Sequence, residues 1–119
     1  MSRDWTLYLD DILESCNKIQ RYTKDMTLRQ FTQDEKTYDA VVRNLEIIGE
    51  AAKQIPDDVR GQLPRIEWRK IGALRDVIAH AYFGIDNEIL WDLGQHKVPE
   101  LKRSIESFSA LRQLPRRTS

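Results

Sequence analysis

Few side chains in this sequence can do chemistry. There are two histidines, His80 and His96, and one cysteine, Cys16, too few for a zinc set. The sequence has no glycine-rich phosphate loop, no Gly-x-Ser-x-Gly elbow and no pair of carboxylates on an otherwise apolar face. The reactive residues that do gather lie in Arg75-Asp76-Val77-Ile78-Ala79-His80-Ala81-Tyr82. Asp76 and His80 stand at i and i+4, so on a helix the carboxylate can touch the imidazole, orient it and favour its cation. His80 is therefore a candidate acid or base, Arg75 a permanent cation for an anionic group, and Tyr82, seven residues after Arg75, a phenol on the same side as that cation.

At about 100° per residue, with Arg75 as zero, a helix carrying this stretch separates into two faces. Ile71, Leu74, Val77, Ile78 and Ala81 share an apolar arc that packs inward. The opposite side carries Tyr82, Arg75, Ala79, Gly72, Asp76 and His80, with polar groups around two small residues. Glycine in a helix interior costs roughly 1 kcal/mol relative to alanine, so Gly72 suggests a close approach by another helix or a ligand. Arg75 and His80 diverge by about 140° on one straight helix. A second copy packed across Gly72 and Ala79 resolves this, because the histidine of one chain then faces the arginine of the other. A distorted helix end near Gly84 is the alternative. By pattern alone, Asp76 and His80 also read as an ordinary surface pair, Arg75 as a salt-bridge partner and Tyr82 as a helix-end aromatic.

The whole chain narrows what these residues can serve. Its 119 residues give room for one core, and 40% hydrophobic and 32% charged residues with 5 Gly and 4 Pro lean to helix rather than to disorder or a β-sandwich. Nineteen Lys plus Arg cancel nineteen Asp plus Glu, so no overall field attracts nucleic acid or an anionic membrane, and any anion site must be local. The sequence cluster Arg60, Arg65, Arg69, Lys70 and Arg75 is a weak local signal of that kind. A lone cysteine, no membrane-length apolar run and no export signal at the N-terminus lead to the expectation of a cytoplasmic protein.

The elements that must hold the strip follow from helical periodicity. Trp5, Leu9, Ile12, Cys16 and Ile19 form the stripe of a first helix, with Asp4 as its N-cap. The rhythm lapses from Tyr22 to Phe31. Tyr38, Val41, Val42, Leu45, Ile48, Ala52 and Ile55 resume it in a second helix that Pro56 ends. A short turn spans 56–60, a third helix runs from about Trp68 to Tyr82, and Gly84 stops it. A fourth starts near Asp86 or Asn87 and reaches Leu111, with a kink or break near Lys97 forced by Pro99. The expectation is an all-α bundle of four main helices over residues 1–114, followed by a frayed basic tail at 115–119. Cys16 falls on an apolar stripe as a buried thiol, Trp5, Trp68 and Trp91 read as core-edge anchors, and His96 has no partner that the sequence names.

Arg75-x4-His80-x-Tyr82 resembles the signature of the HEPN superfamily, and the tyrosine narrows it to the HepT-like toxins that pair with MntA-type minimal nucleotidyltransferases. Arg43-Asn44-Leu45-Glu46-Ile47-Ile48-Gly49-Glu50-Ala51-Ala52, Trp68, Ile71-Gly72, and Leu90-Trp91 through Pro99-Glu100-Leu101 also look like that family. The resemblance implies a metal-independent, cofactor-free ribonuclease acting as a homodimer, with Arg75, Asp76 and His80 catalytic and Tyr82 the site where the antitoxin attaches AMP. RNA, unlike DNA, brings its own 2′-OH nucleophile, so a proton-moving group and a cation suffice, with a 2′,3′-cyclic phosphate on the way. Two other readings remain: a non-catalytic substrate-binding or regulatory module for a nucleotidyltransferase, and a plain dimerisation bundle.

Overall fold

The computed structural model describes residues 4–82 and 87–112, with the backbone alone for 80–82 and 109–112. The described elements are all helical. Helix α1 (Trp5–Tyr22) begins where Asp4 accepts the Thr6 N–H at 3.0 Å. It packs most extensively on α3 (Glu35–Lys53), and then on α8 (Val98–Arg112). Leu9, Ile12, Cys16 and Ile19 of α1, Val41, Val42, Leu45 and Ile48 of α3, and Val98 and Ile105 of α8 make the core. The expected all-α bundle is what these stripes build, because each helix can bury only one face. None of the described helices is long and apolar enough to cross a membrane.

Where the sequence rhythm lapses, the chain makes a short helix, α2 (Leu28–Gln33). Thr27 and Gln30 form a reciprocal capping box: the Thr27 hydroxyl oxygen accepts the Gln30 N–H at 3.1 Å, and the Gln30 side-chain oxygen accepts the Thr27 N–H at 2.9 Å. Its one buried residue, Phe31, packs its ring 5.3 Å from both Tyr38 and Trp91. One aromatic anchor replaces a stripe, so periodicity could not reveal the element. Asp34 then caps α3, accepting the Thr37 N–H at 3.0 Å. After α3, Pro56 precedes the one-turn α4 (Asp57–Gly61), as expected.

The third helical segment has the expected ends but is not one helix. It divides at Ala73 into α5 (Trp68–Gly72) and α6 (Leu74–Tyr82), with Ala73 at φ −88°, ψ 5°. Within the chain, a close approach is made at Gly49. Among the described residues, a Cβ built on Gly72 would meet only the Lys53 Cγ, at 3.9 Å, whereas one on Gly49 would stand 3.3 Å from the Ile71 carbonyl oxygen. Gly49 on α3 thus admits the backbone of the break.

The last segment divides as Pro99 demands. Helix α7 (Asn87–Asp92) leads into a π-helical turn, Leu93–Lys97, in which the Val98 N–H reaches back to the Leu93 carbonyl. The wide turn ends just before Pro99, which then sits in the first turn of α8, where a missing N–H costs little. Gly84 as a helix stop, and the basic tail at 115–119, lie outside the described residues.

Candidate functional site

The break at Ala73 gives the strip a helix of its own. On α6, Leu74 and Ile78 are buried and Val77 is half-buried, while Arg75, Asp76 and Ala79 are exposed. The two-faced pattern read from the sequence therefore holds over residues 74–79 of α6. Gly72, on the other side of the break, does not continue the same helix, and it is half-exposed. His80 and Tyr82 belong to α6 by backbone, but their side chains lie outside the described residues, so the Asp76–His80 contact and the position of the Tyr82 phenol do too.

Arg75 has a partner that spacing could not reveal. Its Nη1 donates to Glu50 Oε1 at 3.3 Å, across to α3. The same oxygen lies 3.6 Å from Lys53 Nζ. Arg75 is 63% exposed and Glu50 51%, so the pair is worth about 0–1 kcal/mol and leaves most of the guanidinium facing water. A cation in the first turn of a helix opposes the macrodipole, which Glu50 and the neighbouring Asp76 offset. Glu50 lies inside the stretch 43–52 that carried the family resemblance, yet its role here is set by a contact over 25 residues of sequence.

The sequence cluster of cations is dispersed in space. Arg60 caps the end of α3, donating to the carbonyls of Ala52 at 2.8 Å and Ile55 at 3.0 Å, with its guanidinium 5.8 Å from the Trp68 ring. Lys70 pairs with Glu67 at 2.8 Å, which holds the Glu67 carboxyl below, and the Lys70 ammonium above, their usual ranges. An apolar groove of about 140 Å³ lies between α3, α5 and α8, floored by Leu45, Ile48, Ile71 and Leu101 and edged by Arg65, Lys70 and Lys97. Arg75 does not line it.

His96 does have a partner: its Nδ1 lies 2.9 Å from Asp92 Oδ1, one turn back in the π-helical region. The signal was the same i, i+4 spacing that marks Asp76 and His80. Both residues are largely exposed, which makes this a surface pair. Cys16 is fully buried, and loss of solvation pushes its thiol up to about 12, so it is unreactive at neutral pH. Trp5, Trp68 and Trp91 pack against the core as edge anchors.

The family model described as "Ribonuclease HepT-like" matches residues 12–108. The chain is 44% identical over 106 residues to "Putative RNase MJ0127" of Methanocaldococcus jannaschii, covering 89% of this chain and 88% of that protein. It is 42% identical over 108 residues to "Probable ribonuclease HepT" of Thermococcus cleftensis, covering 91% and 98%. Against "Putative RNase TTE0752" of Caldanaerobacter subterraneus the identity is 34% over 101 residues, covering 85% and 90%. No solved structure matches the chain significantly.

Proposed function

This chain belongs to the HepT-like ribonuclease family, and on that premise we propose that it is a metal-independent endoribonuclease, active as a homodimer and the toxin of a toxin–antitoxin pair. What carries the reading is that the matched span contains Arg75-x4-His80-x-Tyr82, on a helix whose Arg75 and Asp76 face solvent rather than the core.

RNA bound along α6 offers a 2′-OH next to the scissile phosphorus. His80 takes the proton from that hydroxyl as its oxygen attacks phosphorus, and a proton is returned to the 5′ oxygen as the P–O5′ bond breaks. The products are a 2′,3′-cyclic phosphate and a 5′-hydroxyl. Arg75 stabilises the added negative charge on the pentavalent phosphorus, a role its planar fork fills better than an ammonium. Asp76 orients the His80 ring. Arg75 and His80 lie five residues apart, so the pair that acts on one phosphate comes from two chains, which meet across Gly72 and Ala79.

Silencing acts at Tyr82. Its oxygen attacks the α-phosphorus of ATP in the active site of an MntA-type nucleotidyltransferase, pyrophosphate departs, and the phenolic proton goes to a base of that enzyme. The added phosphodiester brings negative charge and bulk to the end of the strip that Arg75 begins.

The test is RNA cleavage by wild type and His80→Ala, each with and without excess chelator. Wild type should cleave in chelator and His80→Ala should not cleave, while both melt and sediment alike. Cleavage by a folded His80→Ala dimer would remove His80 from the reaction, and a folded wild type that does not cleave would favour the non-catalytic, regulatory reading.

A further inference from the structure

Glu50 stands at the exposed side of α3, three residues before Lys53, where α6 crosses it. One of its oxygens meets two cations: Arg75 Nη1 at 3.3 Å and Lys53 Nζ at 3.6 Å. The cations come from different helices, and their convergence on one oxygen requires an anion between them, since like charges otherwise separate. All three side chains are about half exposed or more. An ion pair in that setting exchanges readily with water and with competing anions. The Lys53 stem runs beside Gly72, its Cγ 3.9 Å from where a Cβ there would stand.

We propose that Lys53 is a second phosphate contact for the RNA strand, beside the one made by Arg75, and that Glu50 is the carboxylate the RNA displaces from both cations. This rests on the ribonuclease reading. In the free protein, Glu50 keeps the two cations converged and neutralises them. When RNA binds, phosphodiester oxygens take the place of Oε1: the guanidinium fork grips two oxygens of the phosphate at which the strand is cut, and the ammonium, a mobile point charge, takes an oxygen of a neighbouring phosphate. Glu50 turns out to water. The site thus holds an anion at all times, and a nucleic-acid strand, unlike a single carboxylate, brings more than one phosphate to it.

The test measures binding of a fluorescein-labelled, single-stranded, 2′-O-methyl oligoribonucleotide, which lacks the nucleophile, over a range of salt concentrations. Lys53→Met keeps the stem over Gly72 and removes the charge. It should weaken binding roughly three- to ten-fold at low salt and make the log K against log salt slope shallower by about 0.7. Lys53→Gln should do the same, Lys53→Arg should restore both values, and Glu50→Gln should tighten binding several-fold. In cleavage of unmodified RNA, Lys53→Met should raise KM more than it lowers kcat. Lys53→Met and Lys53→Gln with the wild-type affinity and slope, beside an Arg75→Ala that binds weakly, would overturn the Lys53 contact and leave the ribonuclease reading standing. Weaker binding by Glu50→Gln would overturn displacement and make Glu50 a brace for Arg75. Wild type that neither binds the oligoribonucleotide nor cleaves RNA would remove both readings together.

Discussion

Gly49→Val probes the contact that sets the site. The Cβ alone would stand 3.3 Å from the Ile71 carbonyl oxygen and 3.6 Å from Leu74 Cβ, both fixed to the backbone on either side of the Ala73 break. An alanine there needs a shift of a few tenths of an ångström, and its better helix propensity, worth roughly 1 kcal/mol, works against that cost. Gly49→Ala should therefore be close to neutral. Valine adds two γ-carbons that one rotamer cannot turn wholly away from α5 and α6, and overpacking of this kind costs about 1–3 kcal/mol. Urea unfolding followed by circular dichroism should show the midpoint of Gly49→Val lowered with m unchanged. Strain should also push α6 outward and lengthen the Arg75–Glu50 contact. A displacement near 1 Å at a reacting group can cost on the order of 10²-fold in rate, so RNA cleavage should fall more than stability predicts. Gly49→Val with the wild-type midpoint and activity would refute the close approach and the reason given for the break.

Gly72 is the converse case, because among the described residues only the Lys53 stem borders it. Gly72→Ala should stabilise the monomer fold by about 0.5–1 kcal/mol in thermal melts, while Gly72→Leu should drive the protein toward monomer in sedimentation; a Gly72→Leu dimer of wild-type affinity would remove Gly72 from the interface. Asp34 accepts from both the backbone N–H and the hydroxyl of Thr37, which holds its carboxyl below the usual range. A carboxyl with a lowered folded pKa adds stability above its unfolded pKa and loses it as pH falls through the folded value, so the gap in Tm between wild type and Asp34→Ala should be full at neutral pH and close in acid. A gap that does not change with pH would show that the cap's charge contributes nothing. Tyr82→Phe should keep RNA cleavage and resist the antitoxin, with mass spectrometry showing AMP added to wild type alone. Equal labelling of both would move the modification to another residue.

The main helices were legible because each has a stripe to bury and a marked end, such as Asp4 before α1 and Pro56 after α3. Pro99 announced a break, though not that a π-helical turn would take it up. The split at Ala73 was hidden because its cause is tertiary: Gly49, in a helix that reads as uninterrupted, makes room for a carbonyl 22 residues further on. The capping box Thr27-x-x-Gln30 was a local signal that went unread in a stretch without rhythm. At the site, the exposure of Arg75, Asp76 and Ala79 opposite the buried Leu74 and Ile78 could be read from spacing alone. The electrostatic partner of Arg75 could not, since Glu50 reaches it only through the crossing of α3 and α6.

The central claim is that one catalytic site takes Arg75 from one chain and His80 from the other. Mixing the Arg75→Ala and His80→Ala proteins under conditions of subunit exchange tests it directly, because each should be inactive alone. In the mixed dimer, one site lacks both groups and the other has both intact. Statistical exchange should therefore restore roughly a quarter of the wild-type RNA cleavage. No recovery, with mixed dimers demonstrated by native mass spectrometry, would show that both groups act from the same chain and would contradict the shared site.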